Sequence, residues 1–291
     1  RAQEDAFGYA ALGASLKHPL TPSQGVFAGF NGRKRGNAEE SDFDTGRVSG
    51  HMGWEWRGMA TRLRISGRAQ RFFLDTRPYQ DSYGGSAELR YSLADTTAAT
   101  GFARFSRLNY RDQPIRDSRF WTAGMGLSHL WLGAFQPALS LTLLGGQEVA
   151  DDGSDAARAI AERDLYGGQL GLRFVLSPDW SLNFTGQVRR SDYAAEHNLF
   201  GKTRAETYYQ AETGLDWRFA RHWSAGPRVR YSRNDANIAI YDYERTQAWL
   251  SADRPWESRV SGYATVIHED GRYRCWYRIA LTPEAAEQIC P

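Results

Sequence analysis

The sequence predicts an all-β protein, an antiparallel up-and-down transmembrane β-barrel with about 13 strands present of 14. Three observations carry this prediction. Apolar and polar residues alternate with period two in segments of about 10–14 residues, the length of a tilted membrane-spanning strand. The polar face of those segments is loaded with arginine and some glutamate, which suits a water-filled lumen. Aromatic residues cluster near segment ends, as interfacial girdles do, and the spacers alternate between short and long. Composition removes the rival classes. The 291 residues hold 36 Lys and Arg against 34 Asp and Glu, too balanced for a nucleic-acid binder. No stretch approaches the roughly 18 uncharged apolar residues of a spanning helix. With 13% aromatic residues the chain is not disordered.

The alternation is clearest at 61–70. Thr61, Leu63, Ile65, Gly67 and Ala69 share one face; Arg62, Arg64, Ser66, Arg68 and Gln70 share the other. At 47–57, Val48, Met52, Trp54 and Trp56 oppose Arg47, Ser49, His51, Glu55 and Arg57. The segments 83–93, 166–176 and 207–219 repeat the pattern. The predicted strands are 6–17, 25–33, 46–57, 59–74, 82–93, 97–110, 119–131, 137–149, 165–177, 180–193, 204–219, 223–233 and 243–252. Short spacers fall near 57–58, 94–96, 132–136, 177–179 and 220–222; long polar ones fall at 34–45, 75–81, 111–118, 150–164, 194–203 and 234–242. A soluble β-sandwich also alternates, but it explains neither the arginine-loaded face nor the terminal aromatics.

If the long loops are external, the segment 6–17 runs toward the periplasm. A chain starting inside needs an upward strand first, so one strand is expected to be missing before residue 6. Adding it gives the even number of single-chain bacterial barrels. Residues 1–252 then form the barrel domain and 253–291 a C-terminal extension. In that extension, Ser261–His268 and Arg272–Ile279 read as a β-hairpin around Glu269-Asp270-Gly271, since Asp-Gly is a strong turn signal. Cys275 and Cys290, the chain's two cysteines, lie there and could form a disulfide.

The segment Asn234–Arg245, with Asn237, Tyr241, Tyr243 and Arg245, resembles the end of the C-terminal barrel of surface lipoprotein assembly modifiers. In that family an Asn-x-x-x-Tyr-x-Tyr-x-Arg-like run precedes the final strand. Ser118-Arg119, the run Gly124–His129 and Arg111-Asp112 support the resemblance, which covers about residues 6–252. It implies a 14-stranded barrel in the Gram-negative outer membrane, embedded in its lipid, that helps move surface lipoproteins or related cargo. It also implies an N-terminal periplasmic helical-repeat domain in a longer protein. The tail, from Arg254 through Arg278, is similar instead to a blade of five-bladed-propeller glycoside-hydrolase-like proteins.

The strongest chemical feature is the set of lumen arginines: Arg62, Arg64, Arg68, Arg90, Arg173, Arg189, Arg218, Arg228, Arg230 and Arg245. Glu55, Glu88, Glu212, Asp216 and Glu244 are expected on the same inward face. These groups read either as a conduit guiding a passing chain or as a ladder of Arg–carboxylate pairs that fills the lumen; a ladder can also line a pore. No histidine pair has metal-ligand spacing. Ser128 and His129 are adjacent and point to opposite faces of a strand, so they cannot act as nucleophile and base. The acidic loop 150–164 lacks the ligand periodicity of an EF-hand and reads as a solvated external loop. No cofactor, catalytic group or nucleic-acid partner is expected. The leading function is export or assembly of a lipoprotein client. A passive porin and a soluble carbohydrate-active β protein are the alternatives.

Overall fold

A computed structural model describes residues 7–37, 44–220, 223–256 and 260–273. The strands are β1 (Phe7–Thr21), β2 (Gln24–Asn37), β3 (Thr45–Arg57), β4 (Thr61–Leu74), β5 (Arg77–Ala94), β6 (Thr97–Tyr110) and β7 (Ser118–Leu130). They continue with β8 (Ala138–Ala150), β9 (Arg163–Val175), β10 (Trp180–His197), β11 (Lys202–Ala220), β12 (Trp223–Ala236), β13 (Tyr243–Trp256) and β14 (Val260–Tyr273). Each pairs antiparallel with its neighbours in sequence, and β1 pairs with β14 to close the ring. Among the described residues no helix is long and apolar enough to cross a membrane. Crossing is by strands, and closure leaves no unpaired edge in the lipid.

The alternation sets the two faces. Leu127 on β7, Leu141 on β8 and Leu170 on β9 stand side by side in register, and all three are exposed. Met52, Ile65, Leu89, Met125, Leu143, Val188, Val229 and Leu250 carry the same exposed face around the ring. An apolar band this wide is untenable against water and suits lipid. Trp180 stacks on Trp217 at 5.5 Å between ring centroids, and Trp217, Phe219 and Trp223 continue the row at the short-turn end. At the other end the outward face turns ionic: Arg71 pairs with Asp81 at 2.7 Å, Arg107 and Arg119 with Asp151 at 3.0 and 2.8 Å, and Arg190 with Asp192 at 2.9 Å. The aromatic row and this ionic belt bracket the apolar band.

Three features differ from the sequence expectation. First, two of the expected long loops are tight turns on long strands. Asp75 and Thr76 join β4 to β5 with φ of 45° and 60°, the left-handed pair of a hairpin turn whose twist matches the flanking strands. β10 and β11, 18 and 19 residues long, likewise run far toward their short connection at 198–201. Polar residues on both faces there hide the strand from a search for alternation. Conversely, the connection 131–137, expected to be short, is seven residues long, with Gly133, Phe135 and Gln136 at positive φ. Second, the loop after β8 holds helix α1 (Asp155–Ala161), capped by the Ser154 hydroxyl, which accepts from the Ala157 N–H at 3.3 Å. Ala157 and Ala161 pack on Ala150, which lies on the inward face of β8.

Third, Val260–Tyr273 is one strand. It passes through Glu269-Asp270-Gly271 without turning, with Gln247 opposite Glu269 and Arg245 opposite Gly271. An Asp-Gly turn signal yields here to an adjacent ladder that offers hydrogen-bond partners along its whole length. The expected hairpin is therefore a barrel strand, and it fills the fourteenth place assigned above to a strand ahead of residue 6. Residues 274–279, the cysteines and the end of the propeller-like tail lie outside the described residues.

Candidate functional site

The inner wall is built by register. Every second residue of each strand turns inward, and cross-strand pairs bring those residues side by side. On β4, Arg62, Arg64 and Arg68 face inward, opposite Arg90, Glu88 and Gly84 of β5. Arg173 on β9 lies beside Asn183 of β10, and Arg189 lies beside Gly167 and Tyr208. Glu212, Asp216 and Arg218 on β11, Arg228 and Arg230 on β12, and Arg245 on β13 share the same inward parity. Glu244 does not. It precedes Arg245 on one strand, so it points outward, where it sits 3.9 Å from Arg233.

Three clusters organise this wall. At the short-turn end Glu55 is 3% exposed and accepts from Lys17 Nζ at 2.9 Å, Arg57 Nε at 2.6 Å and Arg62 Nε at 2.8 Å. One carboxylate thus gathers three cations from three strands. On β11 and β12 an ion-pair ladder runs up the wall. Arg228 donates to Asp216 at 2.7 Å, Arg230 to Glu212 at 2.6 Å, and Asn183 Nδ2 to Asp216 at 2.6 Å. Arg230 also lies over the Trp249 ring at 4.9 Å. At the loop end Arg163 joins Glu148 at 2.9 Å and donates to the Tyr193 hydroxyl at 3.0 Å, Ser118 Oγ donates to Glu148 at 2.7 Å, and Arg204 pairs with Glu206. This polar knot surrounds the seat of α1.

Other arginines of the wall stand outside these clusters. Among the described residues Arg64, Arg68, Arg90, Arg104, Arg173, Arg189 and Arg218 are among those that make no ion pair. Arg64 lies over the Phe27 ring at 3.8 Å, Arg104 over Phe102 at 4.8 Å, and Arg68 donates to Gln70 at 3.2 Å. Four of these, Arg64, Arg68, Arg90 and Arg104, stand on β4, β5 and β6. In a ring of fourteen these strands lie seven places from β11, β12 and β13. The ion-pair ladder of β11 and β12 therefore faces a stretch of β4–β6 with four arginines outside any ion pair. A cavity of 510 Å³ at the short-turn end joins Arg90 to Arg173 and Asn183.

The residues of the family motif hold a loop together. Asn237 Nδ2 donates to the Thr203 carbonyl at 2.8 Å, and its Oδ1 accepts from the Ala205 N–H at 2.9 Å. The Tyr241 hydroxyl meets His197 Nε2 at 3.1 Å, and its ring lies under Arg204 at 3.3 Å. Asn234 Nδ2, 5% exposed as a residue, donates to the Tyr241 carbonyl at 2.7 Å. Tyr243 and Arg245 begin β13, and Arg245 lies 5.5 Å over the Tyr243 ring. The motif thus fastens the β12–β13 connection to β11.

The inner-wall residues Lys17, Arg104, Glu148, Arg163, Arg204 and Glu206 were missed in the sequence reading. Parity carries their signal, but only a register shows that they face the others. Among the described residues no group of three or more metal-ligating side chains converges.

Comparison with known proteins places the chain. No curated protein matches it. The "CymD monoaromatic hydrocarbon channel" is 9% identical, with 93% of this chain and 89% of that chain covered and a TM-score of 0.46. "Outer-membrane expressed OmpT of Vibrio cholerae" is 5% identical, with 91% and 97% covered and a TM-score of 0.44. "Copper transporter OprC" is 11% identical, with 91% and 65% covered and a TM-score of 0.48. A family model named surface lipoprotein assembly modifier matches residues 9–256, thirteen of the fourteen strands. With its lipid-facing band and closed ladder, the chain belongs to the surface lipoprotein assembly modifier family, barrels of the Gram-negative outer membrane that assemble and export surface lipoproteins.

Proposed function

We propose that the barrel receives a segment of its lipoprotein client along the cationic inner wall of β4–β6, while the facing ion-pair ladder holds the shape of the ring. The observation that carries this is the run of arginines without ion pairs on β4–β6 opposite the ion-pair ladder of β11 and β12. An arginine locked to a carboxylate has spent its donors. One left facing water keeps its planar fork free for backbone carbonyls and carboxylates of an extended chain. In the longer protein a periplasmic helical-repeat domain would deliver the client to the short-turn end, where Arg90 and Arg173 line the cavity. The wall binds and guides; it carries out no bond-making step.

The test is surface display of a lipoprotein client in cells carrying the full-length protein. The triple variant Arg64→Gln, Arg68→Gln, Arg90→Gln should lower display about tenfold or more. Its barrel should still shift on a gel between unboiled and boiled samples. Arg190→Gln, on the outward face, should display normally. Unchanged display in the triple variant would refute the cationic-wall reading. Free flux of small solutes that tracks these substitutions while display does not would point to a passive channel instead.

A further inference from the structure

The wall between β2 and β6 encloses a cavity of 540 Å³ whose lining differs from the rest of the lumen. Three arginines (Arg64, Arg68 and Arg104), His51 and five serines line it, and no carboxylate does. The register explains the grouping. His51 stands beside Arg68, Arg68 beside Gly84, and Ser86 beside Arg104, so four adjacent strands bring these donors to one height. We propose that this cavity, whose Arg64 and Arg68 also belong to the β4–β6 wall described above, is a binding site for a phosphate-class oxyanion that binds in the absence of any client.

Several features argue for a built site rather than a chance cluster. Arg64 is held by its stacking on Phe27, which fixes the plane of its fork. The imidazole of His51 occupies the space above Gly29, where a Cβ would come within 2.3 Å of the ring. Gly84 leaves the strand position beside Arg68 without a side chain. Ser66 and Ser86 hydroxyls meet at 2.8 Å, and one shared proton leaves the other free to donate into the cavity. Neither Glu55 nor Glu88 lines the cavity. Glu55 is occupied by Lys17, Arg57 and Arg62, and Glu88, beside Arg64 in register, makes no ion pair. Three guanidinium forks with hydroxyl donors between them match a tetrahedral dianion, whose oxygens accept several charge-assisted hydrogen bonds at once. Chloride uses such donors poorly, and a planar carboxylate has two oxygens for them. The phosphate can be free inorganic phosphate or a phosphate ester such as a lipid headgroup.

The experiment is calorimetric titration of the whole refolded chain in detergent with three probes: inorganic phosphate, glycerol 3-phosphate and a short polyglutamate peptide. Saturable binding of inorganic phosphate, weakened tenfold or more in Arg68→Gln/Arg104→Gln and unchanged in Arg190→Gln, is expected. Equal binding of inorganic phosphate and glycerol 3-phosphate supports the site with free phosphate sufficient; tighter glycerol 3-phosphate supports it with an ester as the ligand. Binding of polyglutamate alone overturns it, as does phosphate binding that the double variant leaves intact. A double variant that loses the boiling-sensitive gel shift is replaced by Arg68→Lys/Arg104→Lys, which keeps the charge and removes the fork. Weakening there supports the site, and wild-type affinity there overturns it.

Discussion

Glu55 shows how a single residue position can organise a wall. Its carboxylate is nearly excluded from solvent, while Lys17, Arg57 and Arg62 remain 41–53% exposed. Removing the acid leaves three like charges close together and a buried amide with fewer acceptors. Water screens the exposed cations, so the cost is that of lost charge-assisted hydrogen bonds rather than of a fully buried ion pair. Glu55→Gln is therefore expected to destabilise the barrel by about 1–3 kcal/mol. Urea unfolding in detergent, followed by tryptophan fluorescence, measures this; an unchanged midpoint counts against a structural role. Parity revealed Glu55 and Arg62 in the sequence. Lys17 lies 38 residues away, and only the β1–β2–β3 register brings its ammonium to Glu55.

Helix α1 is the element that the alternation could not predict. It is seven residues long, too short to persist alone, so its stability comes from its seat. Ala157 is 0% exposed, and Ala161 and Ala150 complete a contact with no room for larger side chains. Ala157→Leu should overpack that contact and cost about 1–3 kcal/mol, displacing α1 from the wall. Trypsin cleavage after Arg158 should then accelerate while the barrel itself stays intact. Equal cleavage rates in both proteins would mean that α1 is not held by this contact. The strand elements divide differently. The cores of β3, β4 and β5 were legible because one face is apolar and the other charged. The outer reaches of β5, β10 and β11 were not, because both faces are polar once the strand leaves the lipid.

The whole molecule rests on the assignment of inside and outside. Leu141 and Thr142 are neighbours on β8, the first in the leucine row facing lipid and the second beside Gly126 and Gln169 on the inner wall. An arginine at the lipid-facing position near mid-membrane costs about 2–4 kcal/mol, and one in a wet lumen costs little. Leu141→Arg should thus impair folding into lipid vesicles strongly, and Thr142→Arg should fold nearly as wild type. The reverse order would invert the barrel's faces. At the same scale, among the described residues the β1–β14 pairing runs from Ala10 to Leu16 on β1 and the β10–β11 ladder from Trp180 to His197.

The sequence by itself determined the fold class, the two faces of most strands and the aromatic row. These are consequences of a period-two backbone placed between lipid and water, and they are written locally. It also carried the family resemblance in the run from Asn237 to Arg245. Only the tertiary structure decided which arginines find carboxylates, that Glu244 leaves the lumen, that Val260–Tyr273 closes the ring, and that the unpaired arginines of β4–β6 face the β11–β12 ladder. Each of these depends on register and closure, which relate residues far apart in the chain. A two-residue alternation fixes the direction of a side chain but not its neighbour across the strand.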